Sequence, residues 1–183
     1  MLLSKAELSE KRIRVIRIGH RFVRDDRTIT HLCLVSRALG AEAIYLQEVE
    51  KKLIQTVQDV NEAWGGHFQV LEEPSWKKII SAAKKQGALV VHLTMYGTPL
   101  MEKLEKMRSA EDILIIVGGP KVPGNIYKMS DYNIAVTNQP HSEVGALAVL
   151  LHEIQEGEEL AKDFVGHRLR IIPQDRGKKV VTT

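Results

Sequence analysis

The 183-residue sequence holds a single cysteine, Cys33, so no internal disulfide can form. Nothing then demands an oxidising compartment, and the cytosol is the expected location. Cys33 sits in the apolar run of residues 31–35, a setting for a buried, inert thiol rather than a nucleophile. Long hydrophobic runs are also missing, since no window approaches the ~18 consecutive apolar residues of a membrane span. Residues 1–7 lack the apolar core of a signal peptide. Both gaps predict a chain that is neither secreted nor inserted in a membrane. Aromatic residues are few, with three Phe, four Tyr and two Trp, so a base-stacking platform is not the expected way to contact RNA. No G-x-G-x-x-G fingerprint and no P-loop occur, which argues against conventional dinucleotide or triphosphate binding. His20 and His31 have no Cys-x-x-Cys or His-Glu-x-x-His companion, so no metal site is expected. The G-x-S-x-G elbow of serine hydrolases is absent as well.

What is present is ordinary for a globular chain: 44% hydrophobic and 27% charged residues, sufficient for a full core without disulfides or structural metal. Net charge is only +3, but the basic residues cluster. Lys11, Arg12, Arg14, Arg17, Arg21, Arg24 and Arg27 fall within residues 11–27, and Arg168, Arg170, Arg176, Lys178 and Lys179 lie near the C-terminus. Each cluster alone reads equally as a solvated face. Two of them at opposite ends of a weakly charged chain lean toward phosphate binding.

Hydrophobic periodicity predicts strands at 12–18, 43–46, 68–71, 88–93, 112–117, 132–136 and 168–172, and helices at 27–39, 50–64, 74–86, 99–108 and 141–154. The run at 112–117, Asp-Ile-Leu-Ile-Ile-Val, has the continuous apolar character of a strand covered on both faces. Strands alternating with helices indicate an α/β domain around a largely parallel sheet. The segment 156–166 is the candidate boundary, dividing a core domain over 1–156 from a short basic C-terminal extension over 157–183.

Ligands of open parallel sheets bind beyond the carboxyl ends of the strands, which directs attention to the segments following each strong strand. Thr94-Met95-Tyr96-Gly97 follows one, Gly118-Gly119-Pro120-Lys121-Val122-Pro123 a second, and Thr137-Asn138-Gln139-Pro140-His141-Ser142-Glu143 a third. The glycine pair reads either as a tight turn or as a place where backbone N–H and C=O groups approach a flat ligand closely. The third segment reads as a helix cap by Ser142 or His141, or as polar groups suited to a purine edge, a ribose or an amino-acid moiety. Residues 19–31 follow the first strand and hold three arginines, two histidines, two aspartates and two threonines. There Asp25, Asp26 and Thr28 are candidate caps, and Arg–Asp pairs are a purely structural alternative.

Five stretches, RIGHRFVRDDRTITH (17–31), VHLTMYG (91–97), IIVGGPKVP (115–123), DYNIAVTNQPHSEVGALAVLL (131–151) and IIPQDRGKKV (171–180), occur in an order and spacing that resembles the archaeal tRNA (cytidine-56) 2′-O-methyltransferases of the SPOUT superfamily. The similarity spans residues 12–180. The resemblance implies a SPOUT-type α/β methyltransferase domain with a mostly parallel sheet and a C-terminal trefoil knot, a rare exception to ordinary connection rules. It implies a cytoplasmic homodimer that binds S-adenosyl-L-methionine in the knot and takes tRNA as substrate. Cofactor contacts carry over to Leu93, to Gly118, Gly119, Pro120, Lys121 and Val122, and to Val136, Thr137, Asn138, Gln139, Pro140, His141, Ser142 and Glu143. The Asn and Arg that many SPOUT ribose methyltransferases carry in their first motif have no counterpart here at the same spacing, and the arginines of residues 19–31 are the natural replacements.

The expected chemistry is direct displacement of a methyl group from a sulfonium by a ribose 2′-hydroxyl, favoured by holding the reactants in line. Arg24 or Arg27 is the candidate for stabilising the developing alkoxide, Arg21 for gripping a neighbouring phosphate, and His31 for general base. Arg176, Lys178 and Lys179 are the candidate backbone contacts to tRNA. The helix over 141–154 is the candidate dimer contact. Two other readings remain at this point: a methyltransferase acting at another RNA site, and a non-catalytic RNA-binding protein of the same fold.

Overall fold

The computed structural model describes residues 11–19, 26–119 and 122–183. Six strands form one all-parallel sheet: β1 (Arg12–Ile18), β2 (Ala43–Leu46), β3 (Gln69–Glu72), β4 (Leu89–Pro99), β5 (Asp112–Gly118) and β6 (Tyr132–Ala135), in the order β3-β2-β1-β5-β4-β6. Among the described residues five α-helices connect them, α1 (Asp26–Ala38), α2 (Lys51–Trp64), α3 (Trp76–Lys85), α4 (Leu104–Arg108) and α5 (Asn125–Met129), and α6 (Glu143–Gln155) follows β6.

Strand alternation splits the core in two. Ile13 and Val15 of β1, Ile113, Ile115 and Val117 of β5, and Val91 and Leu93 of β4 pack with α1, α2, α4 and α6. Ile16, Ile18, Leu114, Ile116 and Val90 pack on the opposite face with Ile79 and Ile80 of α3 and Ile126 of α5. Both faces of β1, β4 and β5 are therefore dry, which is why these strands read as nearly continuous apolar runs. Cys33 is buried in the first of these clusters, and burial pushes its thiol pKa up to about 12.

Most boundaries follow the periodicity, and the departures have causes. The helix expected from Pro74 starts at Trp76, after Ser75 in an extended conformation. The helix expected over 99–108 is broken, with a 3₁₀ turn at Leu100–Glu102 before α4. β4 runs past 93 to Pro99, because its chain leaves the sheet at 94–97 and returns: Leu93 and Thr98 both pair with Ile134. α5 was not foreseen, nor was β8 (Lys179–Thr182), which pairs antiparallel with β7 (Leu169–Ile172) as a separate hairpin. That hairpin leans on α2, where Arg168 donates its backbone N–H to Ala63 O (3.0 Å) and its Nε to Glu62 O (3.2 Å). The guanidinium of Arg37 lies 4.8 Å from the Phe164 ring centroid, at the foot of the same extension. Among the described residues no helix is long and apolar enough to cross a membrane.

Chain direction sets where a ligand can enter. After β1 the chain turns through α1 toward β2, on one side of the sheet. After β5 it turns through α5 toward β6, on the other. The carboxyl ends of adjacent β1 and β5 thus form a switch point, where a crevice opens in parallel sheets.

Candidate active site

A cleft of about 900 Å³ lies at that switch point. Its walls come from the ends of three neighbouring strands, β1, β5 and β4, and from the first turns of α1 and α6. Of the residues singled out in the sequence, Arg27, His31, Leu93, Gly118, Gly119, Val122, His141, Ser142 and Glu143 line it together. Residues distant in sequence meet here because the parallel register aligns strand ends: Ile18 opposes Gly118 and Leu93 opposes Val117.

Arg17 is a buried polar side chain in this wall. It is 1% exposed and its Nη2 donates to Oε1 of Glu143 at 3.4 Å, joining β1 to the first turn of α6. A carboxylate at a helix N-terminus is itself favoured by the helix dipole. Gly119 stacks on this guanidinium: a Cβ there would stand 3.2 Å from Arg17 Nη2 and 3.2 Å from Gly19 O. The glycine at 119 thus lets the end of β5 settle against the buried cation. Arg17 was visible in the sequence only as one of several arginines in a basic cluster. The signal that marks it is an arginine on the same strand face as Ile13 and Val15, where a solvated charge would not be placed.

On the other face of β4, His92 is 1% exposed and also reaches the cleft. Asn133 Nδ2 donates to Tyr127 O (2.9 Å), so Asn133 Oδ1 must accept, and the contact of 2.9 Å to His92 Nδ1 requires the proton on Nδ1. Nε2 is then the acceptor. Burial lowers the His92 pKa and its hydrogen bond to Asn133 opposes this only in part, so the imidazole is neutral near pH 7. The Tyr127 ring stands perpendicular to the imidazole with centroids 4.8 Å apart, and its hydroxyl shares a hydrogen bond with Thr94 Oγ1 at 3.1 Å. Sequence reasoning missed His92, which lies inside an apolar strand, and Tyr127, which lies on the unforeseen α5.

The excursion at 94–97 is held from the opposite side by Asn138, whose Nδ2 donates to Met95 O (2.7 Å) and Gly97 O (3.2 Å). The Asn138 amide is therefore spent on the loop that walls the cleft. Asn138 is not part of the lining, and neither are Val136, Thr137, Gln139 and Pro140; Val136 packs against the core instead. Ser142 caps α6, its Oγ accepting from Gly145 N at 3.2 Å. Arg21, Arg24, Pro120 and Lys121 lie outside the described residues. Arg176, Lys178 and Lys179 stand on the exposed turn and strand of the β7–β8 hairpin, away from the cleft lining. Among the described residues no group of three or more His, Cys, Asp or Glu side chains is placed to hold a metal ion.

The family model for tRNA ribose 2′-O-methyltransferase matches residues 64–181. The chain belongs to the tRNA ribose 2′-O-methyltransferase family. It is 50% identical over 174 residues to the tRNA (cytidine(56)-2′-O)-methyltransferase of Thermofilum pendens, covering 93% of this chain and 96% of that protein. The protein of that name from Nitrosopumilus maritimus is 46% identical over 92% of this chain and 95% of its own length. Among solved structures, the TrmH/SpoU tRNA modifying enzyme of A. aeolicus superposes with a TM-score of 0.58 at 13% identity, over 83% of this chain and 79% of that one. The SpoU methyltransferase AviRb of Streptomyces viridochromogenes, solved in complex with its cofactor AdoMet, superposes with a TM-score of 0.58 at 12% identity, covering 85% and 61%. At such identities the superpositions speak for the fold, which is that of the SpoU/TrmH methyltransferases.

Proposed function

We propose that this chain methylates the ribose 2′-hydroxyl of cytidine 56 in the T-loop of tRNA, using S-adenosyl-L-methionine. The observation that carries this is family membership joined to a cleft whose walls are the loops that the family resemblance marks for the cofactor.

The residues present fit such a cofactor. Leu93, Val117 and Val122 offer apolar surface, and Gly118 and Gly119 bring bare backbone to the cleft, as a flat adenine and its ribose require. When bound, S-adenosyl-L-methionine supplies an electrophilic methyl group whose bond to sulfur breaks as the bond to the ribose oxygen forms. The chain's own task is to orient the hydroxyl, stabilise its developing charge and accept its proton. Arg27 is the described arginine at the cleft mouth and is assigned the developing alkoxide. His31, one turn further along α1, is assigned the proton. Arg24, in the same segment, is the alternative to Arg27 for the alkoxide, and Arg21 is assigned a neighbouring phosphate. Arg17 and Glu143 tie the end of β1 to the start of α6 in the wall of the same cleft.

A threaded C-terminal half belongs to the same reading. Support comes from β6, which pairs with β4 on both sides of the 94–97 excursion, and from Asn138, which binds the chain after β6 to that excursion. A homodimer across α6 is included, supported by the stripe of Gly145, Val149 and His152 left exposed along that helix. The division at residue 156 into a methyltransferase domain and a basic extension is supported by the separate β7–β8 sheet. A cytoplasmic location follows from a tRNA substrate.

The test is transfer of labelled methyl from S-adenosyl-L-methionine to an unmodified tRNA transcript, with the labelled nucleotide mapped. Label on the ribose of cytidine 56 is expected. Single-turnover rates should fall at least about 100-fold in Arg27→Ala or His31→Ala, as for loss of a general base or a charge stabiliser. Tight cofactor binding without transfer to any tRNA would refute the assignment and favour a binding protein of this fold.

A further inference from the structure

A second cleft, of about 490 Å³, opens beside the first between the starts of α1 and α2. Arg27 and His31 line both clefts. They stand four residues apart on α1 and so share one helix face, with the larger cleft on one side and the smaller on the other. Methyl transfer needs the donor and the acceptor to meet at one point while their remaining atoms occupy separate sites. Resting on the function proposed above, we propose that the smaller cleft holds the base of the acceptor nucleotide, and that the carboxylates of Glu48 and Glu50 read the exocyclic amino group of cytosine.

The wall of this cleft suits that occupant. Leu53 and the buried Ile29 offer apolar surface to a flat ring, and the rim carries Glu48 and Glu50 from the segment between β2 and α2, with Lys52 of α2 also in the lining. Glu50 occupies the N-cap position of α2, yet its side chain makes no capping hydrogen bond. Its carboxylate is thus not consumed by the helix it precedes, where Ser, Thr, Asp or Asn would be the ordinary choice. An ionised carboxylate only accepts hydrogen bonds. It therefore favours the amino group of cytosine and opposes the carbonyl that uracil presents at the same position. The division of labour follows: the larger cleft for the methyl donor, the smaller for the base, and Arg27 and His31 at the junction where the ribose oxygen must lie.

The experiment compares single-turnover methylation of two tRNA transcripts, one with cytidine and one with uridine at position 56, alongside calorimetric cofactor affinity. The wild-type chain should favour cytidine at least about tenfold, in the range of one good base contact. In E48Q/E50Q the preference should fall at least about fivefold, because a carboxamide both donates and accepts, while cofactor affinity is kept. L53W, which fills the cleft, should lower kcat/KM for tRNA about tenfold or more with cofactor affinity unchanged. An unaltered base preference in the double variant overturns the proposal even if L53W fails to fold. So does an L53W chain that methylates normally, and so does a change confined to oligomeric state, which would make the cleft a contact between copies. A wild-type chain that methylates no tRNA would remove the functional reading itself, a failure distinct from a lost preference.

Discussion

Replacing Gly97 by alanine should damage the cleft without touching any group assigned to chemistry. A Cβ at position 97 would lie 2.5 Å from Asn133 O, 2.6 Å from Asn133 C and 2.6 Å from Ile134 N. All three are backbone atoms of β6, so no side chain can rotate away. Ordinary contacts begin near 3.4 Å, and β4 and β6 must separate by the better part of an ångström. Overpacking costs about 1–3 kcal/mol, and rigid backbone on both sides places this change at the upper end. At about 2–4 °C per kcal/mol for a chain of this size, Tm should fall by about 6–12 °C. The same movement shifts Met95 and Gly97, whose carbonyls hold Asn138, and Asn133, which holds His92. Cofactor affinity should weaken, and the transfer rate should drop by about 100-fold, the usual consequence of a 1 Å misplacement. Gly124→Ala is the control, since nothing lies within 4 Å of its Cβ and its backbone is already helical. That change should alter stability by less than about 1 kcal/mol, because the unfolded-chain entropy removed with the glycine is opposed by alanine's poorer fit at the N-cap of α5. Thermal melts, cofactor calorimetry and single-turnover transfer measure the pair. A Gly97→Ala chain that melts within a degree of wild type and binds cofactor equally would refute the packing analysis.

Three further outcomes are expected. Burial would raise the Asp112 carboxyl, but hydrogen bonds and charge from Arg12 and Arg14 outweigh it and hold its pKa below the ordinary value of 3.8. Its stabilisation is present above that value and lost as pH falls below it, so Asp112→Asn should cost about 2 kcal/mol near neutrality and flatten the acid limb of urea melts between pH 5 and 2.5. His92 has a folded pKa below its ordinary 6.5, so its contribution is complete above 6.5 and declines as pH drops below it. Nitrogen-detected NMR should show the Nδ1–H tautomer at pH 7, and His92→Gln should remove the decline; an Nε2–H tautomer at pH 7 would contradict the Asn133 geometry. Neutralising Arg176, Lys178 and Lys179 together to Gln should reduce the salt slope of tRNA binding by about 1 for each phosphate that these side chains neutralise, with cofactor affinity intact. This substitution is preferred to truncation because Thr183 and β8 close the hairpin through Thr183 N to Arg168 O (3.0 Å).

The local order of this protein was legible in its sequence. Apolar runs at 43–46 and 112–117, helical spacing from Ile29 to Leu39 and the capping serine at 142 answer to periodicity and hydrogen-bond chemistry that act within a few residues. The loops that form the cleft were legible for the same reason, since they follow strands strong enough to read and strand ends gather ligands. The separation of their roles was not. Asn138 and Ser142 looked alike as polar residues in one loop, yet one is bonded into the 94–97 excursion and the other caps a helix. The excursion itself, with Leu93 and Thr98 sharing one partner on β6, has no local signature, because it is defined by a strand more than thirty residues away. Arg17 and His92 read as ordinary members of a basic cluster and an apolar strand. Only sheet order, bringing β1, β5 and β4 side by side and laying α6 and α5 on opposite faces, turns them into a buried ion pair with Glu143 and a neutral imidazole beside Asn133. Local composition determined which elements form. Long-range pairing decided which polar groups are buried together, because burial is a property of the neighbours that a side chain meets and not of its own sequence.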